Sequence, residues 1–231
     1  MNIPPISWFR HAAPVRCIVV TMTNRSDPAP GDDTDAAEGV ESNARLTSAT
    51  AAVLFVLLAV EGVTVLQVRS LLSLHVFIGT ALIGPAVLKI GSTTWRFARY
   101  YRGAPAYRRK GPPAPLLRLL GPVVVVLTVA VLGTGVALML VPPSLRTTTL
   151  FLHKATFVLW FGAMTIHVVG HAVETAQLAP ADWLRRTRRD VRGAGLRQWA
   201  VAASLVVGVV LGLLLLPTVG PWLHGVGALG H

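Results

Sequence analysis

The residues best suited to chemistry are histidines set among apolar side chains. His75, His153 and His167 each lie within a long hydrophobic run, where an ionisable side chain is costly and those that persist usually face a cavity or a partner. Neutral imidazole is a good ligand for iron, provided its other ring nitrogen is held by a carbonyl or carboxylate. His75 stands in Ser73-Leu74-His75-Val76-Phe77-Ile78-Gly79 and His153 in Leu150-Phe151-Leu152-His153-Lys154, each about five residues below the same end of its run. These runs are the second and fourth of the chain and so travel in the same direction. The two imidazoles can therefore meet at one level, as axial ligands on opposite faces of a haem must. Glu61, about six residues from the matching end of the first run, shares that depth and is the candidate to hold a second ring nitrogen. Gly79, one turn beyond His75, leaves room for the edge of a flat macrocycle, while Arg69, Arg146 and Lys154 are placed to meet its carboxylates. A second correspondence lies 14 residues further along, at Lys89 and His167. At about 1.5 Å per residue that is roughly 21 Å deeper, on nearly the same helix face. His171, one turn past His167, is a further candidate ligand.

Such residues have to be positioned by helices crossing a bilayer. The chain has 231 residues, 53% apolar and 13% charged, with a mean hydropathy of +0.60. Soluble domains use roughly 25% charged residues, so a water-soluble globule is excluded. Five segments approach or exceed the roughly 20 residues needed to cross a hydrocarbon core of about 30 Å. They run about Leu46 to Gln67, Ser70 to Trp95, Leu119 to Val141, Thr148 to Ala176 and Trp199 to Pro217. This predicts an all-α polytopic membrane protein, a four-helix transmembrane bundle plus a fifth C-terminal transmembrane helix. The first four segments form two hairpins with a weak internal repeat, whose ascending arms carry Glu61-Gly62-Val63-Thr64-Val65-Leu66 and Thr134-Gly135-Val136-Ala137-Leu138-Met139. Gly84-Pro85 predicts a kink in the second helix. Lys89, near the inner end, is expected to snorkel towards headgroups.

The formal charge of +11 is concentrated in two connections. One holds Arg96, Arg99, Arg102, Arg108, Arg109, Lys110 and Arg118 without an acid; the other holds Arg185, Arg186, Arg188, Arg189, Arg192 and Arg197 against Asp182 and Asp190. Both are expected to be cytoplasmic, with the N-terminus inside and the C-terminus outside a cell membrane, and to contact anionic lipid. Because these cations cluster at the ends of apolar runs, nucleic acid is excluded as the partner. Residues 1–45 carry six of the ten acidic residues and read as a disordered cytoplasmic tail. The patch Cys17 to Met22 is too short for a secretory signal, and Met22 is an alternative start. The expected division is this tail, a bundle over residues 46–176, a basic loop over 177–198, and the fifth helix with a short outer tail over 199–231. A single cysteine, Cys17, excludes an intrachain disulfide and cysteine-based zinc or iron–sulfur sites. No nucleophile triad, phosphate-binding glycine loop or His-Glu-x-x-His run is present, so hydrolase and nucleotidase chemistry has no residues to carry it. An electron-transfer protein or subunit fits better than a stand-alone enzyme.

From Leu46 to Ala176, the paired hairpins, Leu74-His75 and Leu152-His153 near helix starts, and His167 at the 14-residue offset resemble the membrane b-type cytochromes, meaning the cytochrome b561-type group and the haem-bearing subunits of formate dehydrogenases and nickel–iron hydrogenases. The resemblance implies haem b between helices two and four, electrons passed between quinone and a redox partner subunit, and a lipid bilayer around the bundle. It also implies a second histidine in helix two for a second haem, where this chain has Lys89; one haem is therefore favoured over two. A reading from another class stands beside it: a cofactor-free membrane protein or accessory subunit whose histidines and Glu61 form a packing or proton-transfer network.

Overall fold

A computed structural model describes residues 30–110, 115–189 and 191–226. The expected disorder of residues 1–29, with Cys17 and the alternative start at Met22, and the outer tail over 227–231 lie outside the described residues. The helices are α1 (Pro30–Leu66), α2 (Leu72–Ala81), α3 (Ile83–Tyr101), α4 (Pro105–Lys110), α5 (Pro115–Leu140), α6 (Pro143–Leu178), α7 (Ala194–Leu215) and α8 (Gly220–Val226). Short 3-10 turns, Ala179–Asp182 and Leu216–Val219, follow α6 and α7. Among the described residues, five helical stretches are long and apolar enough to cross a membrane: Thr34–Leu66, Leu72–Tyr101, Arg118–Leu140, Pro143–Asp182 and Ala194–Leu223. The protein is an all-α, multi-pass membrane protein in contact with the lipid bilayer.

The first span corrects the expected tail. Residues 30–45 are not irregular: they are the opening turns of α1, whose 37 residues at about 1.5 Å each reach roughly 55 Å, well beyond a hydrocarbon core. Charge pairing explains why so polar a segment is ordered. Arg192, in the connection before α7, bonds Glu38 and Asp35, both at 3.1 Å, and its guanidinium is held above the usual arginine range by the hydrogen bond and charge of Glu38, then the charge of Asp35. Deeper in, the Asp182 carboxylate grips Arg197 through both oxygens, one at 2.6 Å, and lies 3.5 Å from Arg45. Arg45 also pairs with Glu41 at 3.1 Å and donates to the Thr187 carbonyl at 2.8 Å. Arg197 reaches Ser42 at 2.9 Å. Asp182, Arg45 and Arg197 are all buried, and together they tie α1, the 3-10 turn after α6, and α7 into one end of the molecule.

The second span is interrupted at Leu82, whose backbone stays helical and whose N–H still reaches the Ile78 carbonyl at 3.0 Å, so its two halves run on from one another. α2 ends at Ala81, α3 starts at Ile83, and Pro85 falls in the first turn of α3. Proline has no N–H to offer the carbonyl four residues back, which is that of Ala81. That carbonyl is turned onto α7, where a Cβ built on Gly208 would lie 2.1 Å from it. Reciprocally, a Cβ on Gly84 would lie 2.0 Å from the Ser204 carbonyl, and one on Gly212 would lie 2.8 Å from the Phe77 ring. Small residues four apart allow helix backbones to approach this closely in lipid, with Cα–H groups facing carbonyl oxygens. The fifth span is thereby fixed against the outside of the second. The remaining four, from α1, α2–α3, α5 and α6, surround an internal cavity.

Candidate functional site

The cavity measures about 1040 Å³ and runs between the four bundle helices, with Trp222 and Leu223 of α8 at one end. At that end, α1 and α2 bring Glu61, Thr64 and His75 together. His75 Nδ1 is 2.8 Å from Glu61 Oε1 and 3.1 Å from Thr64 Oγ1. The Thr64 hydroxyl in turn donates to the Glu61 carbonyl at 2.7 Å or its carboxylate at 3.0 Å. A carboxylate oxygen accepts, so in the tautomer where Nδ1–H of a neutral His75 donates to Glu61, Nε2 keeps its lone pair.

The second hairpin repeats the device with a hydroxyl in place of the carboxylate. His153 Nδ1 lies 3.1 Å from Thr134 Oγ1. The Thr134 hydroxyl donates to the Ala130 carbonyl at 2.7 Å, and in the tautomer where its oxygen accepts from Nδ1–H, Nε2 of a neutral His153 keeps its lone pair. The two rings have centres 6.4 Å apart with planes at 73°, and both line the cavity. Gly135 makes this possible: a Cβ there would stand 3.2 Å from His153 Cε1. Gly79 does similar work for Glu61, whose Oε1 would be 3.1 Å from a Cβ at position 79. The space beside Gly79, expected to admit a macrocycle edge, is thus taken by the carboxylate. Of the three rim cations, Arg69 and Lys154 line the cavity, whereas Arg146 stacks on Trp222, 4.9 Å from the ring centre.

His167, His171 and Lys89 line the other end of the same cavity. Lys89 does not snorkel as expected. Its amine donates to the Thr47 carbonyl at 3.0 Å, beside a polar seam in which Thr47 bonds Ser92 at 3.0 Å and Asn43 donates to the Ser92 carbonyl at 3.2 Å. The Thr47 carbonyl on α1 thus gives the amine an acceptor inside the bundle. His167 and His171 have ring centres 4.8 Å apart. Glu61, His75, Gly79 and His153 are thus brought together, and His167, His171 and Lys89 form a separate group. Among the described residues, no three His, Cys, Asp or Glu side chains lie close enough to hold one metal ion.

Sequence reasoning passed over Thr64, Thr134 and Gly135 as working residues. A signal was there: in the C-terminal half of each ascending arm one threonine stands close to a glycine, Thr64 two residues from Gly62 and Thr134 next to Gly135. It missed Trp160, whose indole donates to Thr128 at 2.9 Å to close the wall between α5 and α6, and Trp222 at the mouth. Compared with family models, curated proteins and solved structures, the chain finds no match.

Proposed function

We propose that the protein is a membrane b-type cytochrome that carries electrons through a single haem b, with His75 and His153 as the axial ligands. The observation that carries this reading is the spacing of the two imidazoles. An iron atom bonded at about 2 Å to a nitrogen of each of two coaxial rings, by analogy with other metal–imidazole bonds, puts the ring centres about 6 Å apart; here they are 6.4 Å apart. Two further features support the reading. Both Nδ1 atoms are already engaged, which leaves the Nε2 atoms for a metal, and the cavity of about 1040 Å³ is as large as the top of the usual range of roughly 300–1,000 Å³ for ligand sites.

Bound haem supplies one-electron chemistry at its iron, and the chain's own residues set the terms. Glu61, 2.8 Å from Nδ1 of His75, would orient that ring as a ligand. Thr134 fixes the rotation of His153, and the apolar walls exclude water. Arg69 and Lys154 offer cations to the carboxylates of the macrocycle at the rim. By the charge bias of its loops the arginine-rich end is cytoplasmic and contacts anionic lipid, which places the His75–His153 pair near the outer face. Quinone and a redox partner subunit are the proposed sources and acceptors of electrons.

The test is the visible spectrum of detergent-purified protein from haem-replete cells, oxidised and then reduced with dithionite. Soret and alpha bands are expected; they should vanish in His75→Ala and His153→Ala and survive in Lys89→Ala. A colourless wild-type protein rejects the reading. It would favour the alternative that the hydrogen-bonded Glu61–Thr64–His75 set supports, a cofactor-free membrane protein or accessory subunit with a proton-sharing network.

A further inference from the structure

We infer that His167 and His171 form a second, independent site, which takes an exchangeable divalent transition-metal ion such as Zn²⁺ at the end of the cavity remote from His75 and His153. The two residues are four apart on α6 and so lie on one helix face, the arrangement in which two histidines of a helix chelate zinc. Their ring centres are 4.8 Å apart with planes at 55°. That is close enough for one nitrogen of each to reach a common ion at bonds of about 2.0–2.1 Å. His167 Nδ1 is buried and, among the described residues, has no hydrogen-bond partner. A buried polar atom without a partner calls for a physical explanation, and a metal ion supplies one.

The neighbouring carboxylate strengthens the assignment. Glu174, three residues beyond His171, has Oε2 3.6 Å from His171 Nδ1. A carboxylate behind a histidine orients the ring and raises its basicity towards a metal on its other nitrogen. Here Glu174 stands behind the ligand rather than among the ligands, so two imidazoles and water complete the coordination and the ion remains exchangeable. The His171 and Glu174 side chains are 32% and 45% exposed, so the protein itself does not seal this end of the cavity. Lys89, at the same end of the cavity, directs its amine to Thr47 and is not a ligand. Imidazole donors suit zinc, copper and nickel better than magnesium or calcium.

The experiment uses the full-length protein in detergent, stripped with chelator and titrated with Zn²⁺ by calorimetry and with Co²⁺ by visible absorption. Wild type is compared with the double variant His167→Ala/His171→Ala, so that any binding by His11, His224 or His231 is common to both. The double variant is expected to lose one equivalent of Zn²⁺ and the matching cobalt absorption, and to keep whatever Soret band the wild type has. Equal stoichiometry in the two proteins overturns the assignment. If the double variant does not fold, Glu174→Gln decides: Zn²⁺ affinity should fall about 10- to 100-fold, the usual effect of losing such an outer partner, and an unchanged affinity overturns the proposal.

Discussion

At the scale of single residues, the Nδ1 partners of the two facing histidines are chemically unequal, a carboxylate for His75 and a hydroxyl for His153. Glu61→Gln keeps the shape and removes the charge. On the haem reading it should retain the cofactor, weaken its binding about 10- to 100-fold and raise the reduction potential, since a nearby negative charge favours the oxidised iron; haem titration and redox titration check the two effects. An unchanged potential would mean that the carboxylate does not act through His75. The glycines give a matched pair of tests. A methyl at Gly135 would press on His153, whereas one at Gly133 would meet nothing within 4 Å. Gly135→Ala should therefore lower haem retention or shift the reduced spectrum, and Gly133→Ala should do neither. The juxtaposition of His75 and His153 is legible in the sequence because depth along two co-directional helices needs only residue counting. The threonines behind them are not, because a hydroxyl reaches an imidazole only when helix rotation is right, and rotation is fixed by packing partners that a linear pattern does not name.

At the scale of the elements, the contact between α7 and the interrupted second span is made of backbone against backbone. Gly84→Ala and Gly208→Ala each place a methyl about 2 Å from a carbonyl oxygen of the other helix, which no rotamer change relieves. The helices must separate, at a cost of about 1–3 kcal/mol or more, as overpacking typically costs. Gly91→Ala, with nothing within 4 Å, removes the helix penalty of glycine and should instead gain about 0.5–1 kcal/mol. Thermal unfolding in detergent separates the three, and equal melting temperatures would reject the close approach. The interruption near the proline can be anticipated from Gly84-Pro85 alone. What receives the freed Ala81 carbonyl cannot, because Gly208 is more than a hundred residues away and reads only as one more small residue in an apolar run.

At the scale of the whole molecule, the end that carries the arginine-rich connections is held by a buried carboxylate between two guanidiniums, Asp182 with Arg45 and Arg197. Asp182→Asn leaves the buried Arg197 without its counter-charge and Arg45 with Glu41 alone, and breaking a buried pair typically costs about 3–5 kcal/mol. The loss should show as a lower melting temperature and as protease cleavage within residues 34–45, which are helical in the wild type; resistance equal to wild type would contradict the clamp. The sequence reveals five apolar spans and the polarity of their loops. It conceals the helical order of residues 30–45, because the acids of that segment look like a solvated tail until their partners, about 150 residues distant, are folded beside them. The clamp also has a bearing on timing. Arg45 is synthesised before the first span is complete, Asp182 only after the fourth, and Arg197 only as the fifth begins. The opening turns of α1 therefore stay half-matched until the residues around the start of the fifth span have been made, and that end of the molecule can close only then.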